Sequence, residues 1–314
     1  MISLGIDTSN YTTSTSLFDS ESREVKQQKR LLPVKEGEIG IRQSDAVFHH
    51  TAALPELLGA LFKNQDTVPD VLGCSVSPRE AEGSYMPCFT VGSGAARNMS
   101  AVFGVPLCRF SHQQGHVAAA VFSGGKWELF EKQFIAFHVS GGTTEAVMVS
   151  PDKDKIITCN YLCGSLDLKA GQAVDRVGRM LGLRFPAGAQ LEKLAAKWEG
   201  KISTRPVLKE NNCSLSGLEN QCAKLKNDGQ PPEFIARFCL ESIAAAIENM
   251  TKGLLLVYGK LPVVYAGGVM SDMIIQNILA DKFDCCFATP EFSCDNAAGI
   301  AILAALAHGG NLCE

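Results

Sequence analysis

The chain has 314 residues, 46% of them apolar and 20% charged, with a formal net charge of −4. That length exceeds what a single core usually serves, so two lobes are expected, and the composition excludes a largely disordered chain. The acidic balance excludes a global attraction to nucleic acid, so an RNA contact would need a local basic patch.

Twelve scattered cysteines follow neither Cys-x-x-Cys spacing nor a regular framework, and no secretory signal opens the chain. They read as reduced, mostly buried thiols of a cytoplasmic protein rather than as disulfides or zinc fingers. The longest apolar run, Ala297 to Ala307, is about half of the ~20 residues a membrane span needs, so a soluble protein with no membrane partner is expected.

Ile2 to Ile6 is apolar, Asp7 to Thr13 is rich in hydroxyls, and a second extended run ends at Asp19, which predicts strand, turn, strand. Gly40 to His50, with Arg42, His49 and His50, reads as a solvated helix start, with a substrate-facing loop as the alternative. Val71 to Val76 reads as a strand, Ser77 to Thr90 as a long loop, Ala95 to Phe103 as a helix and Val105 to Phe110 as a strand. That order belongs to a mixed or parallel sheet. Ser111 is placed to cap a helix from His112 to Val121, and Ser123-Gly124-Gly125-Lys126 marks a lobe boundary.

Phe134 to Val139, a turn over Ser140 to Thr144, and Ala146 to Val149 repeat the opening pattern and predict a duplicated fold. Helices over Ala170 to Leu181 and Ala189 to Trp198 flank the breaker Phe185-Pro186-Ala187-Gly188. Pro231-Pro232 opens a long helix, Leu261 to Tyr265 is a buried-type strand leading to Gly267-Gly268, and a last helix starts just after Asp295. The expected division is an N-terminal lobe over 1–125, rejoined by a C-terminal helix over 294–314, and a C-terminal lobe over 126–293.

His112 and His116 stand four apart, so on a helix both imidazoles project from one face within reach of one ion. A solvated face or satisfied core groups would show the same spacing, and a third ligand must come from elsewhere. Asp295 reads first as the N-cap of the last helix, which does not exclude a ligand role. Gly141-Gly142 and Gly267-Gly268 each follow an apolar strand and allow close approach of a phosphate, although neither fits the dinucleotide or Walker A fingerprint. Asp175, off the apolar stripe of Val174, Val177 and Leu181, either faces solvent or meets a ribose hydroxyl.

GIDTS, GVPLCRFSHQQGH, HVSGGTTEAV, AGQAVDRVGRMLGLRFPAG, CSLSGLEN, YAGGVMSD and FSCDNAAGIA, in this order over nearly the whole chain, resemble the TsaD family of tRNA threonylcarbamoyladenosine transferases, formerly described as sialoglycoprotein endopeptidases. The resemblance implies a two-lobed α/β fold of the actin, sugar kinase and Hsp70-like (ASKHA) class, with duplicated mixed-sheet cores and a nucleotide between the lobes. It implies one divalent metal ion, iron or zinc, on His112, His116 and Asp295. It places Val139, Ser140, Gly141, Gly142 and Thr143 in a phosphate-facing hairpin, Asp175 and Gly188 at the nucleoside, and Asp272 where the family has an adenine-side asparagine.

The implied reaction moves threonylcarbamoyl from threonylcarbamoyl-AMP to the N6 amine of the adenine beside the tRNA anticodon. Protein subunits of a threonylcarbamoylation complex are the implied partners. Several positions depart from the family. Its Cys-Asp-Glu is Asn10-Tyr11-Thr12, its histidine after Ser-Gly-Gly is Thr143, the lysine of its Ser-Gly-Leu-Lys is Glu219, and its Ala-Ser-Arg segment is Arg42-Gln43-Ser44-Asp45. These mark a divergent, paralogue-type member, and the alternative is a nucleotide-binding relative with another acceptor or a role as a partner subunit. A metallopeptidase is disfavoured, because Gln113 and Gln114 between the histidines cannot activate water as the glutamate of His-Glu-x-x-His does. No side chain identifies itself as a general base.

Overall fold

The computed structural model describes residues 1–9, 11–33, 41–63, 67–294 and 297–309. The chain divides into two compact units, one of 1–132, 149–160 and 294–314, the other of 133–148 and 161–293. The first unit runs to Lys132, past the Ser123-Gly124-Gly125-Lys126 turn, and takes in the C-terminal helix.

In the first unit β1 (Ile2–Ser9), β2 (Thr12–Asp19) and β3 (Val25–Leu31) form an antiparallel meander. The strand, turn, strand expectation holds, but most of the polar residues assigned to the turn lie buried within the strands. Threonine suits a strand, and its hydroxyl finds backbone partners there. Thr8 Oγ1 donates to the Cys88 carbonyl at 3.0 Å and accepts the Gly92 N–H at 3.1 Å. β3 has no apolar alternation for sequence reading to catch, and as the sheet edge it tolerates its charges.

Next come α1 (Gln43–Leu61), β4 (Val71–Ser77), α2 (Phe89–Phe103), β5 (Leu107–Ser111) and α3 (His112–Ser123). α2 begins at Phe89 rather than Ala95, because Gly92 and Gly94 weaken its helical signal while the Thr8 contact secures it. β1, β4 and β5 are parallel, in the order β3-β2-β1-β4-β5.

The second unit is built on β6 (Phe134–Val139), β7 (Thr144–Asp152) and β8 (Ile156–Gly164), of which residues 149–160 count with the first unit, then α4 (Ala170–Met180) and α5 (Gly188–Ala195). A short hairpin of β9 (Val207–Lys209) and β10 (Asn212–Ser214) leads to α6 (Ser216–Asn227) and α7 (Pro232–Tyr258). β11 (Val263–Ala266), α8 (Met273–Ala280), β12 (Cys285–Phe287) and the single turn α9 (Pro290–Ser293) complete it. Its sheet order is β12-β11-β6-β7-β8, with β6, β11 and β12 parallel. Read from the other end, β8-β7-β6-β11-β12 matches β3-β2-β1-β4-β5 position by position, the duplication predicted from the two hairpins. Proline at the start of α7 pre-sets the first turn, and Ile235, Cys239, Ile243, Ile247 and Met250 bury one face of that helix with Phe137 and Tyr265 of the sheet.

α10 (Ala298–Ala307) returns to the first unit. Its N-cap is Ala297, with no side-chain cap bond from that residue, while Asp295, read first as the cap, lies outside the described residues. Residues 298–305 are all buried, so packing holds this helix. Cysteines among the described residues are free and mostly buried, and no described helix is long and apolar enough to cross a membrane.

Candidate functional sites

In the first unit Ser111 closes a capping box at α3, accepting the Gln114 N–H at 3.2 Å while Gln114 Oε1 accepts the Ser111 N–H at 2.7 Å. The cap fixes the first turn, so His112 opens the helix and His116 lies one turn on. Their Nε2 atoms face each other at 2.9 Å. Two nitrogens each about 2.1 Å from one ion would stand about 3.0 Å apart at octahedral corners and about 3.4 Å apart at tetrahedral ones, so the pair is near the spacing of a shared metal. The Nδ1 of His112 meets the buried Asp7 carboxylate at 2.6 Å, and Asp7 Oδ1 accepts the Ser9 N–H at 2.8 Å. A carboxylate that takes the far N–H of an imidazole leaves Nε2 bare for a metal, the usual arrangement behind a histidine ligand.

Asp295, the third expected ligand, lies outside the described residues, as does Asn10. Among the described residues no three His, Cys, Asp or Glu side chains form a metal-holding group. The helix just after Asp295 nevertheless packs on the histidine helix. A Cβ at Gly299 would collide with the Gly115 carbonyl, so α10 crosses α3 in direct backbone contact between the two histidines. Two histidines and a carboxylate are a donor set that suits iron or zinc.

The expectation for Gly40 to His50 holds in part, since Arg42 is exposed, but His50 is fully buried with Nδ1 2.8 Å from Thr13 Oγ1. Burial pushes its pKa down to about 4 against the opposing charge of Asp7.

In the second unit the turn after β6 is folded by Ser140, whose N–H donates to the Thr143 carbonyl at 2.7 Å and whose hydroxyl accepts the N–H groups of Gly142 and Thr143 at 3.3 and 3.1 Å. Val139 is buried beneath it, while Gly141 and Gly142 are exposed, and a Cβ on either would meet nothing within 4 Å. The N-terminus of α4 closes on this turn. Gly171 N–H donates to the Ser140 carbonyl at 3.1 Å, and a Cβ on Gly171 would lie 2.6 Å from the Gly141 nitrogen. A glycine turn meeting a helix N-terminus is an arrangement that can hold an anion, although the first N–H groups of α4, those of Ala170 and Gly171, donate to Thr144 Oγ1 and the Ser140 carbonyl. At the end of the adjacent parallel strand β11, Gly267 has φ +98° and abuts the Val139 carbonyl, so both glycine pairs lie at the carboxyl edge of one sheet.

Asp175 and Gly188 are also brought together. Asp175 Oδ1 accepts the Ala187 N–H at 2.8 Å, immediately before Gly188 opens α5. Asp272 is buried and caps α8, accepting the N–H groups of Ile274 and Ile275 at 2.9 and 3.1 Å. Burial pushes its carboxyl up to about 6 against these donors, and the charge of Glu192 adds to the rise.

Three features escaped sequence reading. Asp7 is a buried carboxylate inside β1, a signal present in GIDTS but without an assigned role. Asp167 accepts from Leu168 N–H, Leu215 N–H and Ser216 Oγ at 2.6, 2.8 and 2.6 Å, tying CSLSGLEN to the start of α4. Burial opposes its ionisation, but the hydroxyls of Ser214 and Ser216 outweigh that and hold it below the usual carboxylate range. Glu219, the reversed charge, pairs with Arg176 at 3.0 Å. No local pattern announces a partner 43 residues away.

The profile of the TsaD family, described as tRNA N6-adenosine threonylcarbamoyltransferase, matches residues 24–302. The tRNA N6-adenosine threonylcarbamoyltransferase of Archaeoglobus fulgidus is 28% identical over 280 residues, 89% of this chain and 81% of that one. One from Sulfurihydrogenibium sp. is 31% identical over 287 residues, 87% of this chain and 80% of that one. A probable bifunctional tRNA threonylcarbamoyladenosine biosynthesis protein of Thermoplasma acidophilum is 27% identical over 90% of this chain, which spans 50% of its length.

Among solved structures, full-length HypF in its phosphate- and nucleotide-bound form has a TM-score of 0.61 at 13% identity, covering 100% of this chain and 47% of that one. A ROK family glucokinase from Streptomyces griseus, in complex with glucose and AMPPNP, has a TM-score of 0.55 at 10% identity, covering 98% of this chain and 100% of that one. Likeness at such identities shows the fold alone, and that fold is the actin-like and sugar kinase-like class expected from the motifs.

Proposed function

Because the chain belongs to the TsaD family of tRNA N6-adenosine threonylcarbamoyltransferases, we propose that this transferase moves threonylcarbamoyl from threonylcarbamoyl-AMP to the N6 amine of the adenine beside the anticodon of tRNA. The amine nitrogen attacks the carbamoyl carbon, and a C–N bond forms. The bond from that carbon to the phosphate oxygen breaks, the amine gives up a proton, and AMP departs.

The observation that carries this reading in the second unit is the contact of the Ser140 to Thr143 turn with the start of α4. Backbone N–H groups there favour the charge that grows on the departing phosphate. Asp175 holds the loop before Gly188, which supports a place for the nucleoside at the start of α5. In the first unit His112, His116 and Asp295 would hold one divalent ion, which supplies Lewis-acid polarisation of the carbamoyl carbonyl. Asp7 fixes the tautomer and direction of His112.

Gln114 is committed to the α3 cap and to the Ile157 carbonyl at 2.6 Å, which counts further against a metallopeptidase. The reversed charge at Glu219, held by Arg176, favours a second reading in which another acceptor or a partner subunit meets this surface. AMP release decides between them. Threonylcarbamoyl-AMP should yield AMP only when unmodified tRNA is added, and equal release without tRNA would mean that water takes the threonylcarbamoyl group and that tRNA is not the required acceptor.

A further inference from the structure

Over residues 169–209 the chain has nine Lys and Arg against three Asp and Glu, a net +6, so the remainder carries −10 within the total of −4. This is the local basic patch that the overall acidity demands of any RNA contact. Two of the three acids are turned to backbone. Asp175 accepts from Ala187 and Glu192 accepts the Met273 N–H at 2.9 Å, so neither side chain is spent on a cation there. Arg176 is answered by Glu219, whereas Arg179, Arg184, Lys193 and Lys197 are exposed and make no ion pair with a described residue. These four lie on α4, on the loop after it, and on or just past α5, and the two helices are close enough that Gly178 abuts Ala187.

Phe185, next to Arg184 in the loop between the two helices, is 84% exposed. Its loop is not slack. Gln190 holds Arg184 from both sides, its Nε2 donating to the Arg184 carbonyl at 2.9 Å and its Oε1 accepting the Arg184 N–H at 3.4 Å, while Asp175 holds Ala187. A large ring kept in water on a pinned loop, with exposed cations on the helices before and after it, is the composition of a surface that stacks an unpaired base and follows its phosphates. A protein partner would gain from the ring but not from unpaired cations, unless it were strongly acidic.

We infer that the α4–α5 face binds single-stranded RNA, with Phe185 stacking on an unpaired base and Arg179, Arg184, Lys193 and Lys197 contacting the flanking phosphates. This rests on the tRNA reading above and specifies which surface of the second unit meets the loop.

Fluorescence anisotropy over a salt series, with an RNA stem-loop, the same stem as an uninterrupted duplex, and phosphatidylserine vesicles, tests it. Wild type should prefer the stem-loop. Phe185→Ala should weaken stem-loop binding about five- to a hundred-fold and leave the duplex unchanged. The Lys193→Ala/Lys197→Ala double variant should weaken both RNAs and flatten the slope of log affinity against log salt by about 1.4 to 1.8. All these side chains are exposed, and unchanged melting temperatures would certify the folds. Unaltered RNA affinity in both variants, or binding to vesicles but not RNA, overturns the proposed face. If tRNA is still modified in that event, the face alone is wrong. A wild type that binds no RNA overturns the face and the tRNA reading together.

Discussion

β1 and β6 hold the same place in two sheets of the same order, yet the carboxyl edges beside them are furnished in opposite ways. In the first unit the edge carries side chains, Asp7 from β1 and the His112–His116 pair from the helix after β5. In the second it carries bare backbone, the Gly141-Gly142 turn after β6 and Gly267-Gly268 after β11. Imidazole and carboxylate donors suit a cation, and an open glycine turn against a helix start suits an anion. Under the proposed function one duplicated fold serves two ligands of opposite charge, and the difference lies in the residues at the strand ends and in the turns and helices they enter.

The largest expected effect is on the metal. Wild type should carry about one divalent ion per chain, and His112→Ala should remove most of it, by elemental analysis of the purified proteins. A metal-free wild type would break the comparison at its first half. On the other side, Gly142→Val should abolish adenine nucleotide binding in calorimetry, since the branched side chain fills space that no protein atom now occupies. Its metal content should stay at the wild-type level, and nucleotide affinity equal to wild type would remove the phosphate role of this turn.

Smaller effects sharpen the same contrast. Asp7→Asn should lower metal affinity about 10- to 100-fold in a chelator titration, because an amide holds the His112 ring less firmly than a carboxylate. Unchanged affinity would reduce Asp7 to a core group. Gly171→Ala should cost about 1–3 kcal/mol of stability, because its Cβ would strike the Gly141 backbone. Denaturant unfolding beside Gly142→Val, whose Cβ meets nothing, separates packing from ligand space.

The last effect, confined to one pH window, belongs to Asp272. Its folded pKa, raised to about 6, lies above the ordinary aspartate value of 3.8, so the stability present below pH ~4 is lost as pH rises through about 6. Asp272→Asn keeps the cap without the buried charge. Wild type should therefore fall behind the variant between pH ~4 and ~7 by no more than about 3 kcal/mol. Parallel stability curves for the two proteins would mean the carboxylate carries no such penalty.

The legibility of the two edges differs for the same reason. His112 and His116 stand out because a four-residue spacing on a helix is local information, and Ser111 with Gln114 announces the cap that aims them. The hairpins and the long helix from Pro232 are legible because alternation and helical periodicity are local as well. Asp7 as partner of His112 is 105 residues distant in sequence, and Gly171 matters only because α4 closes on a turn 30 residues upstream. β3 escapes sequence reading because an edge strand needs no apolar alternation, and α2 reads as starting late because tertiary contact outweighs its glycines. The chemistry of a side chain is written where it stands, whereas the service of bare backbone is written only in the fold.

Nucleoside mass spectrometry of unmodified tRNA incubated with threonylcarbamoyl-AMP tests the central claim most directly. Wild type should convert the adenosine beside the anticodon to its N6-threonylcarbamoyl form, and both His112→Ala and Gly142→Val should lose that conversion, one from each edge. Unmodified adenosine after incubation with metal-loaded, nucleotide-binding wild type would contradict the claim.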